Sequence, residues 1–287
     1  MYAVRIIPKL EIKGPNLVKG IQLEGLRVLG IPEEFARYYS QHGADELIYI
    51  DVVASLYGRN SILDVIRNTS REIFIPLTVG GGLRTIEDIR QVLQAGADKV
   101  AINTAAIHHP QIISQASKIF GASTIVLSIA AKKQPDGDYL AYTDNGREKT
   151  PIRVVQWAQQ GEELGAGEIL LTSIDRDGTG SGFDVELVRQ IAEGVSIPVI
   201  ACGGAGTIED VAQVISYGKA DAVALASMLH YNYILHHTMD HGSFAEGNTE
   251  FLRHVKKFTR VMGVKIEDIK QHLIESGIHC RMEQVRE

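Results

Sequence analysis

Eight short apolar runs, rich in β-branched residues, recur along the chain and alternate with longer amphipathic stretches. They read VRIIPKLEI, ELIYIDVV, IPLTVGG, DKVAINT, TIVLSIA, EILLTSI, IPVIACGG and DAVALAS. Such runs are typical of strands buried on both faces, and the stretches between them, such as TIEDIRQVLQAG, have the spacing of amphipathic helices. The alternation predicts an α/β fold, a single (β/α)8 TIM barrel that spans residues 1–287 as one domain.

The chain repeats itself after half of the predicted barrel. Residues 81–96 and 203–218 lie 122 positions apart and agree at nine of sixteen positions, including two glycines of a turn and the tetrapeptide Thr-Ile-Glu-Asp. The same offset relates GADE at 43–46 to GAGE at 165–168. We therefore predict two half-barrel repeats of four strands each.

The C-terminal ends of the strands surround the mouth of such a barrel and carry its chemistry. A Gly-Gly turn that leads into a helix leaves backbone N–H groups free to hold an anion. Two such phosphate sites are predicted, one from Gly81, Gly82, Asn103 and Thr104 and one from Gly203, Gly204, Ala226 and Ser227. Their opposite positions indicate a phosphorylated small molecule with a phosphate at each end. The alternative is that the glycines only permit tight turns.

Further polar residues follow other strands. Asp51 ends the second predicted strand and Thr172 ends the sixth. The stretch LLTSIDRDGTGSGFD, at 170–184, is too rich in glycine for a helix. It is interpreted as a mobile loop over the mouth, with Asp177 and Gly178 near the ligand.

Four charged residues lie at the opposite, N-terminal ends of the strands. They are Arg5, Glu46, Lys99 and Glu168. If their side chains point inward, they form a neutral ring at the bottom of the barrel. The sequence leaves open whether this ring is a structural salt-bridge cap or a polar gate.

Composition excludes several classes of function. The net charge is −6 and no run of lysine and arginine occurs, which argues against a nucleic-acid partner. No segment reaches eighteen apolar residues and the early charges do not fit a signal peptide, so we expect a cytoplasmic protein without a membrane partner. Cys202 and Cys280 lack metal-type spacing. We expect no cofactor and no metal.

Several of these motifs resemble the cyclase subunit (HisF) of imidazole glycerol phosphate synthase. They are RIIPKLEIK, DELIYIDVVAS, TVGGGL, GADKVAINTAA, GAGEILLTSIDRDGTGSGFD and ACGGAG. The resemblance covers roughly residues 1–230 and resumes near IEDIKQHLIESGI. It implies a glutaminase (HisH-like) partner on the N-terminal face and a passage for ammonia through the barrel. It also assigns the charged ring, all of whose members are present, to an ammonia gate.

The catalytic pair of that family is not retained. Two aspartates at the ends of the first and fifth strands act there as general acid and base, and this chain has Glu11 and Ala130 instead. The added methylene of Glu11 displaces the carboxylate by roughly 1 Å, and alanine moves no proton. Lys132 is a weak substitute, because it needs a strongly lowered pKa. Lys19, Asp51, Asn103 and Thr172 keep the mouth polar.

A second departure is an insertion after the eighth strand, at 231–264, on the catalytic face. We interpret it as an added helical element that covers the mouth or contacts another protein. Its histidines, His236, His237 and His241, are expected to be surface residues rather than metal ligands.

Three functions remain open at this stage. The first is an ammonia-conducting subunit, whose ammonia an N-acetyl sugar amidotransferase uses in polysaccharide biosynthesis; a branch of HisF-like proteins has this profile. The second is a genuine cyclase of histidine biosynthesis in which Glu11 does the catalysis. The third is a binding or scaffold protein with neither passage nor chemistry.

Overall fold

The computed structural model describes residues 3–54, 60–237 and 260–282. Within these ranges a single mixed sheet contains twelve strands. They are β1 (Arg5–Lys13), β2 (Asn16–Ile21), β3 (Glu24–Gly30), β4 (Leu47–Asp51), β5 (Leu77–Gly80), β6 (Lys99–Ile102), β7 (Ile125–Lys133), β8 (Tyr139–Thr143), β9 (Glu148–Arg153), β10 (Glu168–Ser173), β11 (Val199–Cys202) and β12 (Ala222–Leu225).

Eight of these strands form a closed parallel barrel. The order around it is β1, β4, β5, β6, β7, β10, β11 and β12, and β12 pairs again with β1. Each of the eight predicted apolar runs corresponds to one barrel strand. The predicted (β/α)8 barrel is confirmed.

The remaining four strands form two hairpins that the apolar pattern did not predict. β2 and β3 follow β1, and β8 and β9 follow β7, so each half of the chain adds a hairpin after its first barrel strand. The hairpins lie at the mouth, where they extend β1 and β7 beyond the barrel wall. The second hairpin does have a local signal, the dipeptide Asn145-Gly146. Both residues have positive φ in its turn.

Helices follow the strands and cover the outside of the barrel. They are α1 (Pro32–Gln41), α2 (Asn60–Ser70), α3 (Ile86–Gln94), α4 (Thr104–His108), α5 (Gln111–Phe120), α6 (Val154–Glu163), α7 (Val185–Gly194), α8 (Ile208–Ser216), α9 (Ser227–His236) and α10 (Ile266–Glu275). A single 3₁₀ turn, Ala122–Thr124, precedes β7. Most of the helices bury one face, as their apolar periodicity predicts, whereas in α9 every residue of 227–234 is buried.

The repeated sequence adopts the same local structure in both halves. Thr85 caps α3 and Thr207 caps α8, each with a reciprocal capping box to an aspartate three residues later. The backbone angles agree as well, since φ and ψ are −134° and 162° at Thr85 and −132° and 167° at Thr207. The predicted half-barrel repeat is therefore visible in the geometry of equivalent turns.

Alternation along the strands separates two cores. On β1, Ile6 and Leu10 pack outward against the helices, whereas Ile7 belongs to a smaller cluster inside the barrel. Because side chains alternate along a strand, Arg5, Lys9 and Glu11 share the inward face with Ile7. The inward positions of β1 thus run from the bottom of the barrel to its mouth.

The C-terminal segment closes the bottom edge near β1. Lys270 of α10 is buried and forms an ion pair with Asp45 at 2.8 Å. The backbone N–H of Val4 donates to the carbonyl of His279 at 2.8 Å. These contacts fix the start of β1 and hence the height of Arg5.

Candidate functional site

The four charged residues at the bottom of the barrel form a closed ring of ion pairs. The Arg5 guanidinium contacts the carboxylates of Glu46, at 2.8 Å, and Glu168. The Lys99 ammonium contacts the same two carboxylates, at 3.0 and 3.1 Å. Burial opposes the charge on Arg5, but its carboxylate partners outweigh that penalty and raise the pKa of the guanidinium. The ring thus pairs two basic with two acidic side chains at the bottom of the barrel.

A layer of apolar side chains lies above the ring. Its members point into the barrel from the strand interiors and are buried: Ile7, Ile48, Ala101, Val126, Leu170, Ile200, Cys202, Ala222 and Ala224. Burial raises the pKa of the Cys202 thiol, so the thiol stays neutral. Within the part of the chain described, this apolar layer provides no counterion. A cation inside the barrel would therefore meet counterions only at the two ends.

A buried cluster of two lysines and two acids occupies the mouth. The Lys9 ammonium donates to Glu11 Oε1 at 3.0 Å. The Lys19 ammonium contacts both oxygens of Glu11, at 3.2 and 3.3 Å, and donates to Asp177 Oδ2 at 2.8 Å. Each residue is less than 5% exposed. The two positive and two negative charges balance, as buried charges must.

This cluster fixes the protonation state of Glu11. Burial alone raises the pKa of a carboxyl group, but Lys19 and Lys9 outweigh it and lower the pKa of Glu11 to about 2. A carboxylate with this pKa is ionised at neutral pH and accepts a proton poorly. Its two lysine partners therefore hold Glu11 in the ionised form.

Ala130 lies in an apolar corner of the mouth. It is 7% exposed and packs with Leu23, Tyr142 and Ile174. Lys132 does not replace the missing acid, because its ammonium lies over the Tyr142 ring, 5.7 Å from the centroid. Among the described residues that pack against Ala130, none carries a carboxyl group.

The first predicted phosphate site opens into the main cavity of the mouth, which has a volume of about 430 Å³. Its wall includes all the residues predicted for this site, Gly81, Gly82, Asn103 and Thr104. Asp51 and Thr172 border it as well. Gly81 and Gly82 have φ of 98° and 66°, and a Cβ on Gly82 would lie 2.4 Å from the Cβ of Ala54. The turn thus requires glycine and keeps the backbone open to the cavity.

The second predicted site is much smaller. A cavity of about 20 Å³ is bordered by the four residues predicted for it, Gly203, Gly204, Ala226 and Ser227, and by others that include Lys19, Asp177 and Gly178. A Cβ on Gly204 would lie 2.2 Å from the carbonyl oxygen of Gly182. The second Gly-Gly turn is packed against the loop that follows β10, whereas the first is open.

That loop lies over the mouth and is fastened to it. Asp177 is buried in the ion pair with Lys19, and its carbonyl accepts from the backbone N–H of Gln22 at 2.8 Å. Gly178 approaches the carbonyl of Gly20 so closely that a Cβ would lie 2.6 Å from it. In this structure Asp177 therefore fastens the loop to the β2–β3 hairpin. The sequence predicted a mobile loop here.

Lys9 and His230 are two site residues that the sequence analysis missed. His230 is fully buried on α9; its Nε2 contacts the carbonyl oxygen of Lys9 at 3.1 Å and its Nδ1 contacts the Tyr39 hydroxyl at 2.7 Å. Burial lowers the pKa of His230 to about 3. A neutral ring that donates from Nε2 and accepts at Nδ1 satisfies both contacts. His230 thus supports the backbone at Lys9.

The inserted segment is described only at its two ends. His236 is the last residue of α9 and His237 follows it, while His241 lies outside the described residues. After the gap, the N–H of Met262 donates to the carbonyl of Gly206 at 2.8 Å, so the chain returns beside the second Gly-Gly turn. No group of three potential metal-ligating side chains occurs within the described ranges.

Comparison with known proteins assigns the family. Residues 5–235 match the histidine biosynthesis protein family. The chain belongs to this family. Within the family, it is 57% identical over 210 residues to imidazole glycerol phosphate synthase subunit HisF of Legionella pneumophila, covering 73% of this chain and 99% of that protein.

Two further relatives in the histidine biosynthesis family carry the same name. The protein of Alkaliphilus metalliredigens is 47% identical over 234 residues, covering 82% of this chain and 93% of its own length. The protein of Methanopyrus kandleri is 42% identical over 297 aligned positions, covering 97% and 98%. The chain is HisF-like, as its motifs indicated. None of the helices in the described ranges is long and apolar enough to cross a membrane.

Proposed function

We propose that this chain is the synthase subunit of a glutamine amidotransferase complex that conducts ammonia along the barrel axis. A HisH-like glutaminase on the N-terminal face supplies the ammonia, and a separate enzyme uses it to amidate an N-acetyl sugar in polysaccharide biosynthesis. One observation carries the proposal. The charged ring at the bottom is complete, whereas the two strand ends at which HisF proteins carry their acid–base pair hold an ion-paired Glu11 and Ala130.

The ring supports a gate because its cations are accessible from below and its anions are not. The side chains of Arg5 and Lys99 are 23% and 20% exposed, and those of the two glutamates are below 10%. Movement of one cation toward solvent would open the aperture while the carboxylates stay in place. Above the ring, apolar side chains favour neutral ammonia over the ammonium ion, since an unpaired cation is costly there.

The N-terminal face also offers a surface for a partner. A depression of about 880 Å³ adjoins the ring and is bordered by Arg5, Lys99 and Glu168. Phe74, in the loop that precedes β5 at the same end, is 95% exposed. Exposed aromatic side chains are common anchors of protein interfaces. A glutaminase on this face would release ammonia directly beneath the ring.

The mouth argues against efficient cyclisation. A positioned acid or base contributes about 10² to 10⁴ in rate, and two such groups are needed for a reaction of this kind. Glu11 is held as a carboxylate by two ammonium groups, and Ala130 is surrounded by apolar side chains. We therefore expect ammonia to leave the barrel unreacted.

The second candidate is a genuine cyclase of histidine biosynthesis. It is favoured by the relatives, all three of which are named as HisF subunits of imidazole glycerol phosphate synthase. The main cavity, with its open Gly81–Gly82 turn, still has room for part of a phosphorylated substrate. In this case Glu11 must act despite its ion pairs.

The deciding experiment measures formation of imidazole glycerol phosphate with ammonium salts in place of glutamine. The wild-type chain is compared with the double variant Glu11→Asp/Ala130→Asp, which restores both acids. The proposal predicts no measurable turnover by the wild type and gain of some by the double variant. Wild-type turnover near that of an authentic HisF would reject the proposal and favour the second candidate.

A second assay separates the conduit from a scaffold. The chain is combined with a HisH-like glutaminase of the same organism, and glutamine hydrolysis is followed with and without Lys99→Met. The matched control is Lys219→Met, because Lys219 is an exposed cation paired with Glu193 away from the ring. If the chain is a conduit, glutamine hydrolysis should change with Lys99→Met and stay the same with Lys219→Met. Equal behaviour of both variants would indicate a scaffold.

A further inference from the structure

Lys9 is an unusual residue for the floor of a cavity. Its side chain points inward from β1, it borders the 430 Å³ cavity, and it is 4% exposed. Taking an ammonium ion out of water costs several kcal/mol unless its donors are paired. If Lys9 is buried for structural reasons alone, its N–H donors should therefore be paired.

Most of that capacity is unused. An ammonium group has three N–H donors, and in the described residues Lys9 makes one hydrogen bond, to Glu11 Oε1 at 3.0 Å. Lys19 makes three contacts to carboxylate oxygens and already binds both acids of the cluster. Two donors of Lys9 thus have no partner within the described ranges, beside an empty volume large enough for a small molecule.

An unpaired acceptor lies in the same cavity. The side-chain oxygen of Asn103 is buried and has no hydrogen-bond partner in the described structure, while its nitrogen donates to the Tyr142 carbonyl at 3.1 Å. Buried polar atoms are rarely left unsatisfied without a functional reason. Asn103 borders the cavity, but its oxygen is closed off from solvent, so the accessible polar group at the floor is that of Lys9.

The charge balance defines the chemical class of the ligand at the floor. The cluster of Lys9, Lys19, Glu11 and Asp177 is already neutral. A second anion on Lys9 would approach the carboxylate of Glu11 and be repelled. A hydroxyl or carbonyl oxygen accepts from Lys9 without this cost.

We propose that Lys9 is a ligand-binding residue, which holds the hydroxylated end of a sugar phosphate at the floor of the mouth while its phosphate lies toward the rim. The rim of the same cavity carries Gly81, Gly82, Arg84 and Arg147, which suit an anion. This inference goes beyond the proposed function, because such a ligand is held whether or not ammonia crosses the barrel. Its test needs no glutaminase.

The experiment compares the affinities of ribose 5-phosphate and inorganic phosphate by calorimetry. The wild type should bind ribose 5-phosphate more tightly than phosphate. Lys9→Met should lower the affinity for ribose 5-phosphate by about 10- to 100-fold, as expected for the loss of hydrogen bonds from a charged donor, and leave the affinity for inorganic phosphate unchanged. The matched control Lys132→Met removes a half-buried lysine that does not border the cavity and should change neither affinity.

A purely structural role for Lys9 predicts a different result. Lys9→Met leaves the cluster with one excess negative charge, and Lys9→Met/Glu11→Gln restores the balance. If the double variant regains both thermal stability and ribose 5-phosphate affinity, Lys9 only balances charge and the proposal is wrong. If stability returns and affinity does not, the proposal stands, and the double variant serves alone if the single one does not fold.

A crystal of the wild type soaked with ribose 5-phosphate provides an independent measurement. A ligand oxygen within about 3.2 Å of Lys9 Nζ supports the proposal. A sugar that turns away from the floor, or equal wild-type affinities for ribose 5-phosphate and phosphate, overturns it.

Discussion

Replacing Glu11 by glutamine tests the central feature of the mouth, the buried carboxylate between two ammonium groups. The pKa of Glu11 falls from 4.5 to about 2 on folding. A difference of one pKa unit corresponds to about 1.36 kcal/mol, so the ionised Glu11 contributes roughly 3 kcal/mol to the free energy of unfolding at pH 7. Glu11→Gln removes this contribution and keeps the size of the side chain.

The pH dependence follows from the direction of the shift. The folded pKa lies below the unfolded value, so the stabilisation is complete well above pH 4.5 and is lost as the pH falls toward 2. The difference between the variant and the wild type should therefore be about 3 kcal/mol at pH 7. It should be roughly 1 kcal/mol smaller at pH 4, where the unfolded carboxyl is already partly protonated.

The assay is urea denaturation followed by the fluorescence of Trp157, the one tryptophan of the chain, which is buried on α6. Glu193→Gln is the matched control, because Glu193 pairs with Lys219 at the exposed surface and should matter little at either pH. A Glu11→Gln variant as stable as the wild type at pH 7 would refute the reasoning. So would a stability difference that does not depend on pH.

Three further predictions concern other parts of the molecule. With Lys99→Met in the complex with glutaminase, more ammonia should escape into solution per glutamine hydrolysed, and an ammonia electrode measures this. Because the pKa of His230 falls from 6.5 to about 3 on folding, stability should decline as the pH drops below 6.5. In His230→Gln the denaturation midpoint should therefore depend less on pH between about 7.5 and 5. An equal pH dependence in variant and wild type would contradict a neutral His230 ring. Gly82→Ala should cost about 1–3 kcal/mol more than Gly25→Ala in thermal unfolding, since both have φ near 65° but only the Cβ at 82 meets Ala54.

The positions of the charged ring were predictable from local pattern. Arg5, Lys99 and Glu168 are each the first residue of a barrel strand, and Glu46 immediately precedes one. Apolar runs locate strands, and the start of every parallel strand lies at the same end of the barrel. The sequence left open whether these residues form a structural salt-bridge cap or a polar gate, and the distances show a closed ring of ion pairs, which both roles have in common.

Lys9 illustrates a signal that was present and not used. Once Arg5 and Glu11 are placed inside the barrel, the period of two along a strand places Lys9 there as well. The apolar run of β1 hides this position, because Lys9 stands in the middle of the strand between Pro8 and Leu10. The partner of Lys9 and the number of its unused donors depend on β2 and on the far wall, and local pattern contains neither.

The two phosphate sites show where repetition in sequence stops being informative. The turns at Gly81 and Gly203 have similar sequences, yet one opens into 430 Å³ and the other into 20 Å³. The difference arises from the loop after β10, which Asp177 and Lys19 fasten over the second turn. This ion pair joins residues 158 positions apart.

By itself, the sequence determined the barrel, its two halves, the height of each strand end and the absence of an acid at position 130. These properties follow from periodicity and from residue identity, which act over a few neighbouring positions. Only the tertiary structure decided that Glu11 is locked between two lysines, that one half of the mouth is filled and that Lys9 faces the open half. Those outcomes depend on which distant side chains meet in a low-dielectric interior, where pairing sets both charge and space.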